Sequence, residues 1–236
     1  KQKINGDFQG GIEMIISENK PFEEIIDYLK NAKKIVLIGC NQCAATCKSG
    51  GEEEVLKIKE RLENEGKEVL GYQILDPACN LLKTKKDLKD LKTEIKEADA
   101  ILSLACGDGT QTIVKNLKDK PVYPANNTLF IGEVRRVGEF EEACKACGEC
   151  ELAWTGGICP VTMCAKGLLN GACGGARDGK CEVNPENDCA WILIYDRLKS
   201  INQLDNLPDI KEPKDYSKSG NPRSLSLKKK EATAKA

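Results

Sequence analysis

Residues 35–62 read IVLIGCNQCAATCKSGGEEEVLKIKERL. The opening Ile35-Val36-Leu37-Ile38 is a short, wholly apolar run of the kind a strand buried in a parallel sheet shows. Gly50-Gly51 then precede a helix in which Val55, Ile58 and Leu62 share one face, ending near Gly66. Between strand and helix lie three cysteines, Cys40, Cys43 and Cys47. Working outward, Phe22, Ile25, Ile26 and Leu29 repeat at helical spacing after Pro21. A second strand is expected at Val69–Leu75 and a third at Ala100–Ala105, with a short fourth at Pro121–Pro124. A Lys-rich helix between the second and third strands is expected to bury Leu81, Leu88, Leu91 and Ile95. This alternation predicts the α/β class: a small parallel sheet with crossover helices, Rossmann- or flavodoxin-like.

The 236 residues suffice for one large domain or two small ones. Hydrophobic residues make up 40% and aromatics only 5%, so a core must be mostly aliphatic. Basic and acidic side chains, 36 against 37, nearly cancel, which gives no footprint for nucleic acid. No apolar run approaches the roughly 20 residues that span a bilayer, and no signal peptide opens the chain. A cytoplasmic location is expected. The first residue is Lys, and Met14 is a candidate initiator.

Four segments are expected. Residues 1–20 are poorly patterned, residues 21–130 form the parallel α/β domain, and residues 131–207 form a cysteine-rich, cluster-binding domain ending in a helix. Residues 208–236 carry eight Lys or Arg against four Asp or Glu, a local net of +4, and read as disordered until something docks them. In the cysteine-rich segment, glycines are frequent and periodicity is weak, so metal bonds are expected to order it. Asn184-Pro185 supplies a cap and first-turn proline for a closing helix with Trp191, Ile194, Leu198 and Ile201 on one face.

Thirteen cysteines accompany no histidine. Without a sign of export, so many thiols point to metal rather than disulfides. The absence of His removes Ser-His-Asp and Cys-His catalysis and every zinc site that mixes Cys with His. All-thiolate sites suit iron–sulfur clusters and structural zinc. No carboxylate pair or activated Ser or Lys can be placed, so no catalytic residue is assigned.

The first cysteine set is Cys40, Cys43, Cys47, Cys79 and Cys106. These residues follow the expected strands, and ligands of open parallel sheets bind outside the carboxyl ends of the strands. The alternative is that Cys40 and Cys106 are small buried hydrophobes. Five thiols exceed the four ligands of a cubane, which leaves one in surplus. Nearby Gly50, Gly51, Gly107 and Gly109 are candidate flavin or phosphate loops; they serve equally as turn residues or as room for a cluster. No GxGxxG follows the first strand.

The second set is Cys144, Cys147, Cys150, Cys159, Cys164, Cys173, Cys181 and Cys189. Its CxxCxxC is the opening of the bacterial ferredoxin signature C-x2-C-x2-C-x3-C-P. The fourth spacing departs from it, because eight residues separate Cys150 from Cys159, yet Cys159-Pro160 keeps the Cys-Pro ending. Eight thiols match two four-iron clusters, and equally two zinc knots of four thiolates each.

The run TGGICPVTMCAKGLLNGACGGARDGKCEVNPENDCAWILIYDRL (155–198) resembles the cysteine-rich carboxy-terminal domain of the methylenetetrahydrofolate reductase family. With GCNQCAATCKSGGEEEV (39–55) and SLACGDGTQ (103–111), the chain is similar over roughly residues 14–220 to the small MetV-type subunits of bacterial two-subunit reductases. The resemblance implies an iron–sulfur electron-transfer subunit, not an enzyme alone, carrying two or more [4Fe-4S] clusters, with zinc as the substitute for one. It further implies two partners. One is a catalytic methylenetetrahydrofolate reductase subunit, a flavin-binding TIM barrel acting in one-carbon metabolism and the acetyl-CoA pathway. The other is an electron-donating redox subunit or ferredoxin-like carrier. The alternative is a zinc-knotted docking subunit that only stabilises the catalytic partner.

Overall fold

The computed structural model describes residues 15–226. Met14 and residues 227–236 lie outside the described residues. The chain divides after Glu142 into two compact units.

The first unit runs β1 (Ile15–Asn19), α1 (Phe22–Tyr28), β2 (Lys34–Cys40), α2 (Cys43–Thr46), α3 (Glu52–Asn64), β3 (Glu68–Leu75), α4 (Leu81–Asp87), a 3-10 turn (Leu88–Leu91), α5 (Lys92–Glu97), β4 (Ala100–Ser103), α6 (Gly107–Asn116), β5 (Val122–Pro124), β6 (Asn126–Arg136) and β7 (Glu139–Cys144), the last crossing the division. Strands β3-β2-β4-β5 form a parallel sheet in that order. Its aliphatic run is continuous because both faces are covered. Ile35 and Leu37 of β2 and Leu102 of β4 join one buried cluster with Ile25, Val55 and Leu62 from the helices. Val36, Ile38 and Ile101 point the other way and pack with Leu88, Ile95 and Ile113.

The Lys-rich segment is broken rather than one helix: α4, the 3-10 turn and α5 share its length. Leu88 and Ile95 are buried as expected and Leu91 partly so, but Leu81 is exposed. It is the first residue of α4, capped by the Asn80 side chain. Helical side chains lean toward the N-terminus, so this one overhangs the packed layer.

A second sheet, β1-β6-β7, was not legible in the sequence. Strand β1, in the segment that looked poorly patterned, pairs antiparallel with β6 from Ile15↔Ile131 to Asn19↔Asn126. A buried polar network holds β1 and β6 to the loop after α2. Ser17 and Ser49 hydroxyls lie 2.9 Å apart. Asn19 Nδ2 donates to the Ser49 carbonyl and to Asn126 Oδ1, and Asn126 Nδ2 donates to the Leu104 carbonyl at 2.7 Å. Each side chain supplies a bond that burial would otherwise leave unmade.

The second unit has two further helices, α7 (Pro160–Met163) and α8 (Ala190–Ser200). Its apolar cluster has four buried members, Cys189, Trp191, Ile194 and Leu198. The closing helix begins five residues later than Asn184-Pro185 led one to expect. Asn184 caps a turn instead, its Oδ1 accepting from the Glu186 amide. Short polar side chains offer the backbone this alternative to helix. The turn closes through Asn187 N to Asn184 O and Cys181 N to Asn187 O, so residues 181–189 form a knuckle rather than a helical turn. Residues 211–223 run against the 146–151 loop of the same unit, with bonds from Lys214, Asp215, Lys218 and Arg223.

Candidate metal centre

None of the thirteen cysteines is joined in a disulfide. In the parallel sheet, β2 is flanked by β3 and β4, so the chain reverses its lateral direction between β2 and β4. At such a point the loops part and leave a crevice. Cys40 ends β2, and Cys106 caps α6 just beyond β4. Cys43 opens α2, and Cys79 follows β3 by four residues.

Three of these thiols, Cys40, Cys79 and Cys106, are held up by burial and by neighbouring thiols. Burial pushes the Cys40 thiol up, against the Ala78 and Gln42 amides facing its sulfur, and the neighbouring Cys106 and Cys43 push it further. Burial likewise raises Cys106, against the facing amides of Gly109 and Asp108, with Cys43 and Asp108 adding to the rise. Cys79 is raised by burial, then by Asp108, Cys106 and Cys40. Thiols that oppose one another's ionisation while amides face their sulfurs need a cationic group to become thiolates together. The donor chemistry of this quartet therefore fits an all-thiolate metal group. Cys47 turns elsewhere: its sulfur reaches back to the Ile15 carbonyl at 3.8 Å.

The candidate glycines have structural work in the same place. A Cβ on Gly50 would lie 1.7 Å from the Leu104 carbonyl oxygen, so only glycine lets this loop pass the end of β4. There Gly50 O accepts from the Cys40 amide at 2.8 Å, fixing the start of the cysteine loop. The Gly51 amide donates to Glu54 Oε2, and the Gly107 amide donates to Thr128 Oγ1. Gly109 packs against Ala105 and Ala78 and turns its amide to Cys106. Thr128, Ser49 and Asn126, which support this crevice from β6 and the α2 loop, were missed in the sequence. They are single polar residues in segments without a recognisable pattern.

In the second unit, Cys164, Cys173, Cys181 and Cys189 line one small cavity of about 20 Å3, together with Lys166, Glu182 and Trp191. The 181–189 knuckle and the start of α8 bring the last two together. Cys144, Cys147 and Cys150 remain on their own loop, and Cys159 lies 3.6 Å from Thr162 Oγ1 at the start of α7. Two sulfurs accept the amide two residues on, Cys144 from Ala146 at 3.3 Å and Cys173 from Gly175 at 3.4 Å. Among the described residues, no group of three or more Cys, Asp or Glu side chains converges tightly enough to hold a metal ion. No helix among them is long and apolar enough to cross a membrane.

No curated protein and no solved structure matches the chain. Residues 123–217, from β5 through all eight cysteines of the second set, match the family model described as Methylene-tetrahydrofolate reductase C terminal, so this part of the chain is similar to that family.

Proposed function

We propose that the chain is the iron–sulfur electron-transfer subunit of a heteromeric methylenetetrahydrofolate reductase, a cytoplasmic complex in which a separate TIM-barrel subunit holds the flavin and the folate. The observation that carries this reading is the quartet Cys40, Cys43, Cys79 and Cys106 at the carboxyl edge of the parallel sheet, in which Cys43 and Cys106 raise the cost of ionising Cys40, and Cys40 and Cys106 that of ionising Cys79. The family match over residues 123–217 supports the reductase context.

Three sets of four follow. The quartet would hold one cluster. Cys164, Cys173, Cys181 and Cys189, around their common cavity, would hold a second. Cys144, Cys147, Cys150 and Cys159 complete the third, by the ferredoxin-like spacing of the first three. Cys47, bonded to β1, is the thirteenth. A bound [4Fe-4S] group supplies one-electron transfer. The protein would hold the thiolates, direct amides at the Cys40 and Cys106 sulfurs and keep both residues buried, all of which set a cluster's potential. Electrons would enter from a ferredoxin-like donor and leave to the partner's flavin.

The test is anaerobic purification of the chain, with iron, zinc and acid-labile sulfide assays and a visible spectrum before and after dithionite. Equal iron and sulfide with absorbance that bleaches on reduction is expected. Cys106→Ser should remove about a third of the iron, and Cys47→Ser should remove none. A colourless protein holding zinc without sulfide would replace this reading with the zinc-knotted docking subunit.

A further inference from the structure

Lysine is among the side chains least often fully buried. Lys214 is 7% exposed, in a segment otherwise mostly at the surface. Its ammonium donates to the Glu149 carbonyl and, at 3.0 Å, to Glu151 Oε1. The Cys147 thiol donates to the same Glu149 carbonyl at 3.3 Å, so the sulfur and the ammonium share one acceptor. The buried cation therefore sits beside the central sulfur of the CKACGEC loop.

The surrounding strap keeps it there. The Asp215 amide donates to Glu149 Oε2 at 2.8 Å, and Lys218 Nζ pairs with Glu149 Oε1 at 2.6 Å. Arg223 Nη1 donates to the Ala146 carbonyl. Gly148, at φ +83°, lets the strap close on the loop, since a Cβ there would lie 2.8 Å from the Lys218 carbonyl oxygen. The Lys214 side chain is 2% exposed and that of its partner Glu151 15%, so the ion pair is held largely away from water.

We propose that Lys214 is a positioning residue for electron transfer: its buried ammonium beside Cys147 raises the reduction potential of the group held by the 144–150 loop, and Glu151 opposes it. The inference rests on the reading that this loop holds an iron–sulfur cluster. On reduction one electron passes from an external one-electron donor to the cluster, with no bond broken. No proton is needed, because the ammonium already carries the charge that faces the added electron. A charge shielded from water acts strongly at short range, whereas an exposed one is screened. Lys166, the corresponding neighbour of Cys173, has a side chain 41% exposed and is paired with Glu182.

The experiment is a spectroscopic redox titration of the full chain with dithionite under anaerobic conditions, following the signal that Cys147→Ser removes. Lys214→Met should make that centre at least tenfold harder to reduce, about 59 mV for a one-electron couple. Glu151→Gln should move it the opposite way, and Lys214→Arg should hold it within about twofold. Lys166→Met should move the Cys173-dependent signal by less. Opposite signs separate charge from folding, because loosening the strap would shift both variants alike. Protease sensitivity of residues 208–223, read in parallel without any metal signal, reports whether the strap remains docked. If Lys214→Met fails to fold, Glu151→Gln and Lys214→Arg still decide the matter. Iron and sulfide present with an unmoved potential, or shifts of one sign, would overturn this proposal alone. Zinc without sulfide would overturn the cluster reading, and the proposal with it.

Discussion

The two units solve the same problem, placing thiols, by different physics. In residues 15–142 the thiols are passengers on a body that aliphatic burial already orders: both faces of the β3-β2-β4-β5 sheet are covered, and Ile35, Leu37, Ile101 and Leu102 are fully buried. Beyond residue 142, two helices and four buried cluster members accompany eight cysteines in irregular loops. Burying a large aliphatic side chain contributes about 1.5–3 kcal/mol, so the first unit has many such contributions and the second few. On the proposed reading, a cluster would be an addition to the first unit and a structural component of the second.

The strongest attempt to break this comparison is metal removal. After chelation under reducing conditions, residues 143–226 should become protease-sensitive while residues 15–142 keep a cooperative unfolding transition. Thiolate–metal bonds can supply about 10–16 kcal/mol in small zinc-dependent folds, so their loss is expected to unfold so small an apolar cluster. Equal resistance of both units would refute the contrast. Next in size, Leu102→Ala should cost the first unit about 2–5 kcal/mol in a urea melt. Leu198→Ala, in the second unit, should leave that transition where it was.

Gly50→Ala is a smaller perturbation of the first unit, about 1–3 kcal/mol, as the loop shifts away from the Leu104 carbonyl. Because Gly50 O also receives the Cys40 amide, this variant should lower iron retention at the quartet while the second unit's iron is kept. Metal analysis of the two variants side by side would show whether the quartet depends on the sheet for its shape.

The smallest effect concerns Asp99, whose Oδ2 accepts the Lys33 and Lys34 amides at 2.8 Å. Those bonds hold its carboxyl below the ordinary value. The folded state thus binds fewer protons than the unfolded chain through this range, and stability falls as pH drops through the lowered pKa. Asp99→Ala should flatten the acid limb of the first unit's stability profile and leave the second unit unchanged. An unaltered limb would remove Asp99 from the account.

Much of this was legible in the chain. Continuous aliphatic runs gave the parallel strands, since a strand covered on both faces has no polar positions. The 3.6-residue spacing of Val55, Ile58 and Leu62 gave α3. Strand β1 was not legible: IISEN has one turn of alternation at most, and its partner β6 lies more than a hundred residues away. The start of α8 was misplaced because Asn184-Pro185 suits a turn and a helix cap alike, and only the 181–189 bonds choose between them. The docking of residues 211–223 was hidden by composition. Lysines, serines and prolines read as solvated chain, and nothing local reveals that Lys214 finds a carboxylate and a carbonyl more than sixty residues earlier.

By itself, then, the sequence determined what the residues can do: thirteen thiols without a histidine restrict the chemistry to sulfur ligation, and the apolar pattern dictates a parallel sheet with crossovers. Spacing along a chain is local information, and it was enough for both. Tertiary structure alone decided which thiols share an edge. Cys40, Cys43, Cys79 and Cys106 lie at one edge because strand order puts the ends of β2, β3 and β4 side by side, while Cys47, equally close in sequence, turns to β1. It also decided that one lysine of a basic segment would be taken out of water beside Cys147, a placement that depends on closing a long loop and on no property of the segment alone.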